Sequence, residues 1–276
     1  MKRKNKTSKK KPRQVRDHWD FYFSDNKVGS TAINLALKGI APIKNKPNLA
    51  RITLKMNNPQ ANGFSSQEES GILPQIENAI ANQGKANNNS IHVARHTGGG
   101  NRTIYFYCDD TDSFNDLVCH VMAGFADYQY DIDFQEDKEW KVYSGLYPSK
   151  WQFQFMMNRN VIHELIKNGD NLSQARPVEH TLLFKNKTDR KSFLKEAKKQ
   201  GFTVCDQFYE KSLEAYGLEI SRVDKVDWKS VDEYVFKLMN LAEQHHGLYG
   251  GWATWTDENA SPPAIGLEND FLDSKG

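Results

Sequence analysis

The sequence predicts an α+β protein with two antiparallel sheets, each carrying helices on one face. Three observations predict it. Short runs alternate apolar and polar residues, the period of a half-buried strand, while longer runs space apolar residues three and four apart, the period of a helix. These runs follow the order β-α-β-β-α-β twice. The chain has 276 residues, enough for two cores of ordinary size. The repeated order is the split βαβ, or ferredoxin-like, arrangement. Right-handed crossovers put both helices on one side of a four-stranded sheet. The other side stays open to water, a partner or a neighbouring domain.

Residues 1–16 hold nine Lys or Arg and no acid. Such a self-repelling block is expected to be a disordered basic tail. The first domain is expected over residues 17–150. Trp19–Phe23 and roughly Ser30–Leu37 read as extra strands ahead of the repeat. Ile52, Leu54 and Met56 alternate in its first strand. Pro74 suits the first turn of a helix with Leu73, Ile76 and Ile80 on one face. Two strands follow, around Ile91 and Val93 and around Ile104 and Phe106, joined by a turn through Gly98-Gly99-Gly100. Thr111 or Asp112 is expected to cap a helix bearing Phe114, Leu117, Val118, Val121, Met122 and Phe125. Tyr130, Ile132 and Phe134 alternate in the last strand.

The second domain is expected over residues 151–256, entered by a linker helix from roughly Pro148 to Lys167. Val178, His180, Leu182 and Phe184 alternate in a strand. Thr188 is expected to cap a helix that stops at Gly201. Phe202 and Val204, then Leu218 and Ile220, mark two further strands. The clearest helix runs from about Trp228 to His245, with Val231, Tyr234, Val235, Leu238 and Leu241 as its stripe. Tyr249–Thr256 is the final strand. Strict alternation there puts Tyr249 and Trp255 on one face and Trp252 on the other. One large indole should then meet the other domain, the linker helix or a partner. Residues 257–276, with Ser261-Pro262-Pro263 and scattered acids, read as a second flexible tail.

No stretch approaches the roughly 18 unbroken apolar residues that span a bilayer, and no apolar segment follows the basic start as a signal peptide requires. Cys108, Cys119 and Cys205 are odd in number and form no metal-type pair. The expected location is the reducing cytoplasm, without membrane contact.

Few residues suggest chemistry. The glycines at 98–100 lie between strands, so they read as a hairpin turn and not as a phosphate loop. His92 and His96, with Arg95 and Arg102 near, are four apart in one strand, hence on one face. They could support acid–base chemistry in the first domain, but about 13 Å of strand separates them. The acidic run from Asp127 to Glu139 lacks the glycine and spacing of a calcium loop. His180 reads as a core histidine, and His245-His246 as a helix end. Tyr105 and Tyr107 share a strand face where RNA-recognition sheets place stacking aromatics. With Arg102 and the basic tail they make an RNA contact an alternative reading. No convergent set of acid, base, nucleophile or metal ligands appears, so no catalytic residue, cofactor or metal is expected.

Several phrases in the second half carry a resemblance. They are Glu164-Leu165 leading to Asn168-Gly169-Asp170, Val178-Glu179-His180, Lys199-Gln200-Gly201-Phe202-Thr203-Val204, Leu238-Met239-Asn240-Leu241-Ala242-Glu243 and Tyr249-Gly250-Gly251-Trp252. Over residues 157–256 the chain resembles the family of regulators of RNase E activity B. The resemblance implies a ferredoxin-like, non-enzymatic protein that binds and inhibits an RNase E-type endoribonuclease and so alters RNA decay. Arg176, Glu179, Leu183, Tyr249 and Trp252 are the expected contact residues, with Val223 beside them. Over residues 17–150 the chain is similar to an uncharacterised domain-of-unknown-function family, family 695. Trp19-Asp20-Phe21-Tyr22, Arg95-His96-Thr97 and Arg102-Thr103-Ile104-Tyr105-Phe106-Tyr107 carry that likeness, which implies no activity.

Overall fold

The structure, a computed structural model, describes residues 16–24 and 28–255. The expected tail at 257–276, and all but the last residue of that at 1–16, lie outside the described residues. The fold is α+β, and the chain divides into two compact units, Met1–Ser149 and Lys150–Gly276.

The first unit runs β1 (Trp19–Phe23), β2 (Gly29–Asn34), β3 (Asn48–Lys55), α1 (Gln67–Ala86), β4 (Ser90–Gly98), β5 (Asn101–Cys108), α2 (Thr111–Met122), β6 (Tyr130–Glu136) and α3 (Lys141–Leu146). Its six strands lie in the order β1-β2-β4-β5-β3-β6, antiparallel at every pairing. The last four follow the ferredoxin-like order, and the β1–β2 hairpin extends the sheet beyond β4. Ile52, Leu54, Ile104 and Phe106 point from the sheet into a core completed by Leu73, Ile76 and Ile80 of α1 and by Phe114 and Val118 of α2.

Helix α1 begins earlier than Pro74 suggested. Ser66 caps it by accepting from the Glu69 N–H at 3.3 Å. Pro74 therefore lies inside the helix. Ser66 and Glu69 have the spacing of a capping box, yet the Glu69 carboxylate turns to the Asn57 and Asn58 N–H groups, at 2.6 and 2.8 Å. Asp110, not Thr111 or Asp112, caps α2.

Helix α3, which the periodicity did not predict, closes part of the second sheet face. Tyr107 stacks on Trp140 at 4.0 Å between ring centroids. Its hydroxyl donates to Asp137 at 2.6 Å. Asp137 also accepts from the Lys141 and Val142 N–H groups, both at 2.9 Å. The Trp140 indole N–H reaches the Lys46 carbonyl at 2.9 Å, and the Tyr143 hydroxyl the Asn34 carbonyl at 2.9 Å.

The second unit runs α4 (Lys150–Lys167), β7 (Arg176–Phe184), α5 (Lys187–Lys199), β8 (Thr203–Glu210), β9 (Ala215–Asp224), α6 (Trp228–Gln244) and β10 (Gly247–Ala253). Its antiparallel sheet has the order β10-β7-β9-β8, again the ferredoxin-like one. Leu182, Phe184, Leu218 and Ile220 bury against Phe193 of α5 and Leu238 of α6. Ile162 and Leu165 of α4 join Val178, Val231, Val235 and Trp252 in an adjoining cluster. Asn186, not Thr188, caps α5.

Three β-bulges decide which side chains face where. They lie between His92 and Ala94, between Val204 and Asp206, and between Tyr249 and Gly251. Each inserts one extra residue, so the alternation resumes on the opposite face.

Candidate interaction face

The helix-free face of the second sheet is assembled by register. Leu248, Leu183, Gly217 and Phe208 form one rung across it. Gly251, Thr181, Glu219 and Asp206 form the next. Ala253, Glu179, Ser221 and Thr203 follow. Pro177 and Val223 make the last. The two middle rungs carry three carboxylates and no cation. The outer rungs are apolar, and Leu248 and Val223 remain 48% and 63% exposed. Gly217 is small because Phe208 lies on it: an added Cβ would stand 2.3 Å from the ring.

Electrostatics follow this layout. Partial burial raises the Glu179 carboxyl above its usual range, and the Glu219 carboxylate adds to the rise. The Cys205 thiol, in the bulge of β8, is also raised, by burial and then by Glu179 and Glu219. The face is therefore an uncompensated acidic strip with apolar ends.

Of the expected contact residues, Glu179 and Leu183 lie on this face. The other three do not. Arg176 follows the Val178 side of β7 and pairs with the Asp170 carboxylate at 2.6 Å, ordering the turn after α4. The bulge at Gly250 turns Tyr249 and Trp252 to the same side, toward the helices. Tyr249 meets His180, hydroxyl to Nδ1, at 2.8 Å. Trp252 is 2% exposed, and its indole N–H donates to the Asn158 side-chain oxygen of α4 at 3.0 Å. The linker helix, not a partner, thus receives the indole. His180 is a core histidine as expected, fully buried with its pKa lowered to about 3 by desolvation and then by Arg222.

The expected RNA contacts of the first unit are likewise relocated. Tyr107 is sealed beneath Trp140. Arg102 is buried on the helix side, with Thr97 Oγ1 at 3.2 Å and Glu77 at 3.4 Å. Tyr105 stays half-buried on the second face. His92 and His96 do not share a face. His92 stacks on Phe106 at 4.7 Å on the core side, whereas His96 Nδ1 meets Thr31 Oγ1 at 3.0 Å on the other. The pair therefore offers no joint acid–base site.

In the second unit a cleft of about 430 Å³ opens beside Phe202, Arg222 and Tyr234. Its Arg222 guanidinium is already engaged by Asp224 at 2.7 and 3.0 Å and by the Gln200 carbonyl at 2.9 Å. Among the described residues, no group of three or more His, Cys, Asp or Glu is placed to hold a metal ion. None of their helices is long and apolar enough to cross a membrane.

A single ferredoxin-like unit with an exposed acidic strip fits many roles, and comparison with known families narrows them. Residues 155–254 match Regulator of ribonuclease activity B. Residues 17–147 match a family of unknown function, DUF695. Two successive stretches of the chain thus match two different families. No curated protein matches the chain. Among solved structures, an unknown protein from Galdieria sulphuraria aligns at 8% identity over 73% of this chain and 94% of its own, with a TM-score of 0.22. A "putative glycine cleavage system transcriptional repressor" aligns at 11% identity over 73% and 95%, with a TM-score of 0.21. At these scores neither likeness bears on fold or function.

Proposed function

We propose that this protein is a non-enzymatic regulator that docks on an RNase E-type endoribonuclease and inhibits it, and that the helix-free face of the second sheet is the docking surface. The match of residues 155–254 to Regulator of ribonuclease activity B carries this reading. The acidic strip supports the location. Glu179, Glu219 and Asp206 lie within two adjacent rungs without an opposing cation, and Leu248 and Val223 offer apolar anchors at the ends. A basic segment of the nuclease with apolar residues at its flanks is complementary to that pattern. Binding there would mask the segment and cleave nothing. Charge complementarity of this kind sets association rate and partner choice.

The test is binding of the full chain to a purified RNase E-type nuclease, paired with an RNA-cleavage assay. The charge reversals Glu179→Lys and Glu219→Lys should each weaken binding and inhibition about tenfold or more, leaving the circular dichroism unchanged. Added salt should weaken the native complex. Inhibition that persists at full strength in both variants would remove this face from the mechanism.

A further inference from the structure

We infer that α5 presents a second binding surface in the same unit: a stripe of lysines that holds the phosphates of single-stranded nucleic acid, with the Tyr209 ring at its head as a platform for a base. Six of the thirteen residues of α5 are Lys or Arg, and two are acids. Lys187, Lys191, Lys195 and Lys198 lie within about 80° of one another around the helix axis, and all four are exposed. Each step of four residues advances about 6 Å along the axis, comparable with the separation of successive phosphates on one strand. The acids do not interrupt the stripe. Asp189 accepts from the Asn186 amide at 2.8 Å, and Glu196 takes the Lys199 ammonium at 2.9 and 3.1 Å. Among the described residues, that contact of Lys199 with Glu196 is the one ion pair of α5.

Helix stability does not account for this charge. Lys187 with Lys191, and Lys191 with Lys195, are like charges four residues apart, which repel on a helix surface. Lys187 opens the first turn, next to the Asn186 cap, where the helix dipole disfavours a cation. The stripe also starts beside aromatic rings. Lys187 Nζ lies 5.5 Å from the centre of the Tyr216 ring, and the Tyr209 ring lies 5.0 Å beyond it. The two tyrosines are paired across β8 and β9, and Tyr209 is 51% exposed. A track of cations leading to a bare π-face is what single-stranded nucleic acid uses: phosphates along the charges, a base stacked on the ring. A duplex keeps its bases stacked and gives Tyr209 nothing to hold. A membrane-surface helix needs a free apolar face, whereas α5 commits Phe193 and Ala197 to the core. An acidic protein would satisfy the lysines but brings no series of bases to the ring. The stripe lies on the helix side of the sheet and the acidic strip on the other, so this inference does not rest on the nuclease reading.

The experiment is fluorescence anisotropy of the full chain with a labelled oligouridine over a range of salt. Residues 1–16, with their nine Lys or Arg, stay intact in every variant, so their contribution is common to all. Combining Lys187→Gln, Lys191→Gln, Lys195→Gln and Lys198→Gln should weaken binding at least tenfold. It should also make the log–log salt slope shallower by about 3, four phosphates at roughly 0.7 each. Tyr209→Ala should weaken binding about tenfold, in line with the loss of one stacked base, and leave the slope unchanged. Nuclease binding should stay unchanged in both variants, which separates the failure of one reading from the failure of the other. Should the fourfold variant fold poorly, acetylation of native lysines with and without oligouridine gives an independent readout. Protection is expected at those four lysines and not at Lys167 of α4. Native affinity and slope in the fourfold variant, protection no greater than at Lys167, or equal affinity for a duplex would each overturn the inference. So would polyglutamate displacing the oligouridine as well as unlabelled oligouridine does, or a fourfold variant that loses only binding to phosphatidylserine vesicles.

Discussion

Two buried or half-buried titratable residues in neighbouring rungs of one sheet behave in opposite ways. His180 is enclosed by Phe202, Tyr234 and Tyr249, and desolvation holds its pKa at about 3. An unfolded histidine titrates near 6.5. Between those values the unfolded chain binds a proton that the folded chain refuses. The contribution of neutral His180 to stability is therefore complete above pH 6.5 and is lost as pH falls toward 3. The slope is at most about 1.4 kcal/mol per pH unit. Denaturant titrations of the native chain and of His180→Gln at pH 7, 6 and 5 should show a smaller acid-induced loss in the variant. Glu179 has the reverse sign. Its carboxyl is raised by burial and by Glu219, so its ionisation at neutral pH works against the fold. Glu179→Gln should raise the melting temperature at pH 7 slightly while weakening the nuclease complex. A residue that costs stability and supports binding marks an interaction surface. A lower melting temperature in that variant would argue for a structural role instead.

At the scale of elements, most strands and helices were legible because their periods are strong. The stripe of Val231, Tyr234, Val235 and Leu238 gave α6, and the alternation from Val178 to Phe184 gave β7. Failures came where one residue changed the count. Strict alternation across Val93 placed His92 and His96 together, and across Gly250 it placed Tyr249 and Trp252 apart; both were reversed by bulges. A bulge arises from pairing with a neighbouring strand, and period-2 reading of one strand cannot show it. The candidate site was accordingly half legible, with Glu179 and Leu183 on the face but Trp252 inside. Helix α3 was missed because its six residues are too few to show a period, and its role comes from Trp140 just before it. The Trp252 site yields a prediction at this scale. Trp252→Ala would empty a cavity between β10 and α4 and leave the Asn158 oxygen with the Gln154 amide as its remaining donor, at a cost of about 3–5 kcal/mol. Urea unfolding should show it. Reduced nuclease binding by that variant would therefore report instability and not a lost contact, unless stability is restored first.

Across the whole molecule, charge is divided by position. Residues 1–16 carry +9 while the chain as a whole carries only +2, so the remainder is acidic on balance. The acidic strip lies in the second unit. The second sheet also carries a distinctive safeguard. Both of its outermost strands, β8 and β10, are kinked by an inserted residue. A straight rim would let copies of this chain zip together through their unpaired amides. Crooked rims frustrate such polymerisation, so the broad flank between them can stay bare in a crowded cell, ready for a guest and poorly suited to its twin.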